Sequence, residues 1–175
     1  MITNFKIFIN ENLLVPRNLE GRKDKRKQLN IRLLSQEVID GDLDLDESFM
    51  DIDPKFVKLK KVNGSVELEG GQWTEIPAWL KDIKITGAFD CSNNILTSLK
   101  NCPQKIGKGL FCNNNQLTSL EGCPKEIEEN FECSRNELIS LEGCPKEIKV
   151  NFHCRNNKIK LQLPKNVKLK GKFYN

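Results

Sequence analysis

The chain has 175 residues, 38% of them apolar and 30% charged, with a formal charge of +4 and a mean hydropathy of −0.51. That is one domain's worth of residues. It is too apolar for disorder and has no run near the roughly 18 apolar residues that span a bilayer, so a membrane protein is not expected.

The charge is segregated along the chain. Residues 1–39 carry eight basic and four acidic side chains, and residues 40–53 carry seven acidic and no basic ones. Residues 54–145 balance 11 basic against 12 acidic, and residues 146–175 carry nine basic and one acidic. Such a layout informs about partners rather than fold.

In chain order, MITNFKIFIN alternates apolar and polar residues and lacks a long apolar stretch with a small-residue cleavage site, so it reads as a strand rather than a secretory leader. A loop is expected at Pro16. Over residues 20–39, Leu29, Ile31, Leu33, Leu34, Val38 and Ile39 are spaced for one face of a helix. Residues 1–39 are therefore expected to form an N-terminal cap that covers the open edge of the next segment. Within it, the run from Arg22 to Lys27 reads as a solvated helix face before it reads as a nucleic-acid contact.

From residue 40 the chain repeats. FDCSNNILTSLKNCPQKIGKG, LFCNNNQLTSLEGCPKEIEEN and FECSRNELISLEGCPKEIKVN align without gaps, and FHCRNNKIKLQLPKNVKLKGK begins a fourth copy. Two weaker copies, at Leu43–Leu45 and Val66–Leu68, lie at 23-residue steps before them, with Gly41, Gly64 and Gly87 each two places before the first apolar residue. Phe173 begins one more strand, so residues 40–175 are expected to form about six rows and a terminal strand. Each row cannot bury its apolar side alone, and stacking supplies the core. The Asn94, Asn115, Asn136 and Asn157 column is expected to form an amide ladder at the turn after each strand. Pro103, Pro124 and Pro145 fit irregular backbone on the far side, where turns, bends or short 3-10 pieces are expected.

The seven cysteines, at steps of 11 and 10, belong to this repeat. Leu45 and Leu68 occupy the column of Cys91, Cys112, Cys133 and Cys154, and a metal-ligand column would not interchange with Leu. Reduced packing thiols, no metal or cofactor, and a reducing cytoplasmic setting are the expectation. Calcium is not expected at Asp40, Asp42, Asp44 and Asp46, because the sixth and twelfth loop positions hold Leu45 and Asp51 instead of Gly and Glu.

The pattern of an apolar residue, any residue, Cys, two polar residues, Asn, any residue and Leu or Ile resembles the leucine-rich-repeat core in a short 21-residue form, as in bacterial effectors and phage proteins, with Cys where Leu is usual. The resemblance covers about residues 40–175. It implies an α/β-type, mostly β, right-handed solenoid with one parallel sheet, turns on the convex side and an N-terminal helical cap. It also implies that the outer sheet face binds partners.

Strand alternation identifies that face. One outward column reads Asp44, Glu67, Asp90, Phe111, Glu132, His153, Tyr174, and the next reads Asp46, Glu69, Ser92, Asn113, Ser134, Arg155. A third reads Asp42, Ser65, Ala88, Gly109, Asn130, Asn151, Lys172. Asp44, Asp46, Glu67, Glu69, Asp90, Phe111, Asn113, Glu132, His153, Arg155 and Tyr174 are the expected partner-binding residues. Phe111 stands out as an aromatic inside a polar rim, the usual make-up of a binding hot spot. Lys158, Lys160, Lys165, Lys168, Lys170 and Lys172 form a basic tail suited to phosphates.

Nothing points to catalysis. There is one histidine, His153, expected to point away from Cys154, and no phosphate-binding loop, dinucleotide fingerprint or nucleophile elbow occurs. The expected function is a non-catalytic protein-binding module. A nucleic-acid-contacting protein using the basic tail is the alternative from another class. By analogy with short repeat proteins of phages and bacteria, an inhibitor of a host defence nuclease, such as a nucleic-acid-guided one, combines the two, and its partner would be a ribonucleoprotein. The sequence leaves the oligomeric state open.

Overall fold

The computed structural model describes residues 19–69 and 71–175, with side chains from residue 25 onward. The strand and Pro16 loop expected before residue 19 lie outside the described residues. The chain is a mostly β, parallel solenoid of about six turns with one short helix near the N-terminus.

Helix α1 spans Leu19–Leu34. It stops five residues short of where apolar spacing alone would carry it, because Val38 and Ile39 belong to a strand, β1 (Val38–Asp40). Only Asn30 and Leu34 of its described side chains are fully buried. Leu34 closes on the first row, where its carbonyl accepts from Lys58 N and Leu59 N at 2.8 and 3.1 Å. Asn30 Nδ2 donates to Ser48 Oγ at 2.7 Å, and Arg26 pairs with Asp46. Polar docking of this kind leaves a weak apolar stripe, which is why helical spacing overran the true end.

Seven strands form the sheet read from the repeat. They are β2 (Leu43–Leu45), β4 (Val66–Leu68), β6 (Phe89–Asp90), β8 (Leu110–Phe111), β10 (Phe131–Glu132), β12 (Phe152–His153) and β14 (Phe173–Tyr174), paired in parallel in that order. The register is the one the repeat dictates: Leu43 opposite Val66, then Phe89, Leu110, Phe131, Phe152 and Phe173. The inward side of every strand but β14 is buried; Phe131 and Phe152 stack with ring centroids 4.9 Å apart, and the half-buried Phe173 meets Phe152 edge-on at 5.3 Å and 61°.

One parallel sheet is not the whole architecture. A second ribbon precedes the first in every row: β1, β3 (Lys61–Asn63), β5 (Lys84–Ile85) and β7 (Lys105–Ile106) form a four-stranded sheet. Beyond it, β9 (Glu126–Ile127), β11 (Glu147–Ile148) and β13 (Lys168–Leu169) form a three-stranded one. Each of these strands sends one side chain inward, in the column Ile39, Val62, Ile85, Ile106, Ile127, Ile148 and, half-buried, Leu169. One apolar residue per row shows no alternation, so the ribbon is invisible until rows stack and their backbones pair. Between the ribbons the chain turns a corner at Gly41, Gly64 and Gly87. A Cβ on Gly64 would collide with the Gly41 carbonyl and one on Gly87 with that of Gly64, so side chains cannot stack there. The remaining arc holds 3-10 turns in the two longer rows, at Glu47–Phe49, Pro54–Phe56 and Ala78–Leu80, and turns and bends in the shorter ones.

The asparagine ladder joins neighbouring rows. Asn136 Oδ1 accepts from Leu117 N at 3.0 Å, while its Nδ2 donates to Cys112 O at 3.0 Å and Cys133 O at 3.1 Å. Asn115 repeats the pattern with Leu96 N, Cys91 O and Cys112 O, and Asn157 with Leu138 N, Cys133 O and Cys154 O. Asn136→Ala is expected to cost about 2 kcal/mol, because a buried N–H loses its acceptor. Gln116→Ala, at an exposed position one residue past the ladder, is expected to stay within about 0.5 kcal/mol. Urea denaturation of both variants checks this, and equal midpoints would remove the ladder from the stabilising features of the fold.

Candidate partner-binding face

The outward columns stand where alternation places them. Glu67 is exposed, and Asp44, Asp90, Phe111, Glu132, His153 and Tyr174 are half-buried. Hydrogen-bonded register puts Asp90 beside Phe111, Phe111 beside Glu132, and His153 beside Glu132 and Tyr174. The face therefore has an acidic front and a cationic and aromatic back, with Phe111 at the border.

The front half holds a depression of about 310 Å³ lined by Asp44, Glu67, Glu69, Asp90 and Phe111 among others. The carboxylates of Asp44, Glu67 and Glu69 come within 4.8 Å of one another, the one grouping of three potential metal ligands among the described residues. Asp46 is turned to the helix, where it pairs with Arg26 and accepts from Ser48 N at 2.9 Å, so it serves the cap. Asp42 and Asp90 accept backbone bonds from Ser65 N and Ser92 N at 2.7 and 2.8 Å. These bonds hold the front carboxylates in place along the strand edges.

Phe111 leans over Gly109, where a Cβ would stand 3.0 Å from Cε2 of the ring. The glycine thus gives the ring a backbone floor, which limits its rotamers while leaving part of it open to solvent.

The back half holds a second depression, of about 340 Å³, lined by Asn113, Glu132, Arg135, His153, Arg155 and Asn156. His153 Nδ1 lies 3.7 Å from Glu132 Oε2, and its ring stacks on Tyr174 at 4.3 Å and 16°. The Arg155 guanidinium lies 5.0 Å from the Tyr174 ring centre. Arg135 is the site residue that sequence reasoning passed over. It sits at φ +55° in a left-handed column that reads Asn93, Asn114, Arg135, Asn156, with φ of 56, 57, 55 and 57°. Asn suits that conformation and a long side chain does not, at a cost of about 1 kcal/mol. The substitution of Arg in an Asn column was legible in the sequence, but the left-handed backbone that gives it meaning was not.

The basic tail is scattered rather than gathered. Lys158 and Lys160 sit on the turn after β12, Lys168 and Lys170 flank Leu169 on the second ribbon, Lys165 lies on the turn before it, and Lys172 precedes β14. Lys158 lies 3.6 Å from Glu137 and Lys170 3.9 Å from Glu147, so these two face carboxylates of the preceding row. Strand alternation and the two-ribbon cross-section send neighbouring lysines to different sides.

All seven cysteines are free thiols, and Cys91, Cys102, Cys112, Cys133 and Cys154 are buried. Burial pushes each of these five thiols up, with neighbouring thiols or carboxylates adding to the effect at all but Cys102. Cys154 is pushed up to about 12. His153 faces outward beside Glu132 while Cys154 is buried behind it, so the two do not form a nucleophile–base pair. No helix among the described residues is long and apolar enough to cross a membrane. Comparison of the chain with protein-family models, with curated proteins and with solved structures finds no match.

Proposed function

We propose that the chain is a non-catalytic, leucine-rich-repeat-type module that binds a protein partner through the outer face of the seven-stranded ribbon. The observation that carries this is Phe111. It is a half-open ring over a backbone floor, in a column otherwise made of acidic and polar side chains apart from Tyr174. Aromatic residues ringed by polar ones supply affinity, while surrounding charge sets approach and orientation. The partner surface that fits is of mixed charge. It is basic where it meets Asp44, Glu67 and Asp90, and carries a pocket for the ring. The row-to-row asparagine ladder and the in-register short strands support the repeat assignment.

Phe111→Ala is expected to weaken partner binding by about 2 kcal/mol, roughly thirtyfold, with thermal stability nearly unchanged. Ile139→Ala is the control, since Ile139 is an exposed apolar residue on a turn away from the ribbon. Partners retained by the unaltered protein and by the Ile139 variant, and lost by the Phe111 variant, are those that use the face. Equal retention by both variants would rule out Phe111 as the anchor.

A further inference from the structure

We infer that the back half of the ribbon face is a phosphate-binding site for a nucleic-acid strand, built on Arg135 and Arg155. Two arginines replace small polar residues in two different columns and converge on the same depression. Arg155 ends the column Ser92, Asn113, Ser134, and Arg135 interrupts the left-handed column of Asn93, Asn114 and Asn156. Strained positions that an ordinary residue would relieve are held where a site uses them. The backbone fixes both arginines: Arg135 N donates to Arg155 O at 2.8 Å, and Arg155 N donates to Ser134 Oγ at 3.1 Å. Among the described residues neither guanidinium has a carboxylate partner, and the one carboxylate lining the depression, Glu132, faces His153.

Two guanidiniums lining one depression, with the asparagines Asn113 and Asn156 beside them, offer donors to the oxygens of a phosphate, which Arg binds in a forked geometry. A polyanion is favoured over an isolated anion. Lys172, which precedes β14 in the outward column of Asn130 and Asn151, is exposed on the same face and has no carboxylate partner among the described residues. The stacked His153 and Tyr174 rings add an aromatic surface beside the cations, the combination that holds single strands without reading their sequence. The site shares the ribbon face with Phe111, beside Glu132, but does not use the ring, so variants of Arg135 and Arg155 test it separately from Phe111→Ala.

The test uses variants that restore the residues of each column, Arg135→Asn and Arg155→Ser, so that folding is not put at risk. Anisotropy of a labelled single-stranded oligonucleotide is measured at rising salt, with inorganic phosphate and an acidic phosphopeptide as competitors. The unaltered protein is expected to bind, with affinity falling as salt rises. Each variant is expected to bind about tenfold more weakly, with a shallower salt slope. The Arg135 variant is expected to unfold at the same temperature or higher. Inorganic phosphate is expected to compete only at far higher concentration than unlabelled strand. The inference is overturned by absence of binding at low salt, by variants that bind as well as the unaltered protein, or by a phosphopeptide that displaces the strand at equal concentration.

Discussion

Raising the pH from about 7.5 to about 9.5 is expected to remove on the order of 7 kcal/mol of folding stability and to bring the protein to its unfolding threshold. The cause is the thiol column. Five buried cysteines have pKa values raised in the folded state, first by burial, while in the unfolded chain a thiol titrates near about 8.5. A group whose folded pKa is raised contributes stability that is whole below its unfolded pKa and is lost as pH rises toward the folded one. The window therefore opens near about 8.5; for Cys154 it extends to about 12, and for the more deeply buried thiols it runs further. Each thiol withholds a little over about 1 kcal/mol per pH unit inside it. Five together approach the total stability of a typical domain, about 5–15 kcal/mol. Urea midpoints across this range, with reductant present, measure the loss. Replacing Cys112 and Cys133 by alanine should lower the starting stability yet flatten the pH slope. A curve level up to about 9.5 would mean that the thiols are paired or open to water, against their burial in the fold.

Phe152→Ala is expected to cost about 4 kcal/mol, the middle of the range for emptying a buried aromatic site. The ring is fully buried, stacks on Phe131 at 4.9 Å on one side and meets Phe173 edge-on at 5.3 Å on the other. In a solenoid each row contacts its neighbours only, so the damage should be local before it is global. Hydrogen exchange should show β10, β12 and β14 losing protection while β2 and β4 keep theirs. Phe173→Ala, at a half-buried ring, is expected to cost less, about 1–2 kcal/mol. Equal costs for the two would contradict a stack in which the middle ring bears the contact.

The sequence by itself determined the rows, the register and the outward face. Those features rest on a 21-residue period, 23 in the first rows, and a two-residue alternation, and both survive in the linear order of residues: Leu, Val or Phe opens each strand, and in the first six Leu or Cys stands two places later. The asparagine ladder was equally legible, because one amide per row at a fixed offset can only bridge adjacent rows. Tertiary structure alone decided three things. The second ribbon exists because stacked backbones find partners for groups that a two-residue strand leaves open, which no property of one row reveals. The end of α1 at Leu34 depends on polar docking of Asn30 and Arg26 to the first row rather than on an apolar stripe. The convergence of Arg135 and Arg155 depends on a left-handed turn, and a backbone angle belongs to the folded row and not to the letter that occupies it.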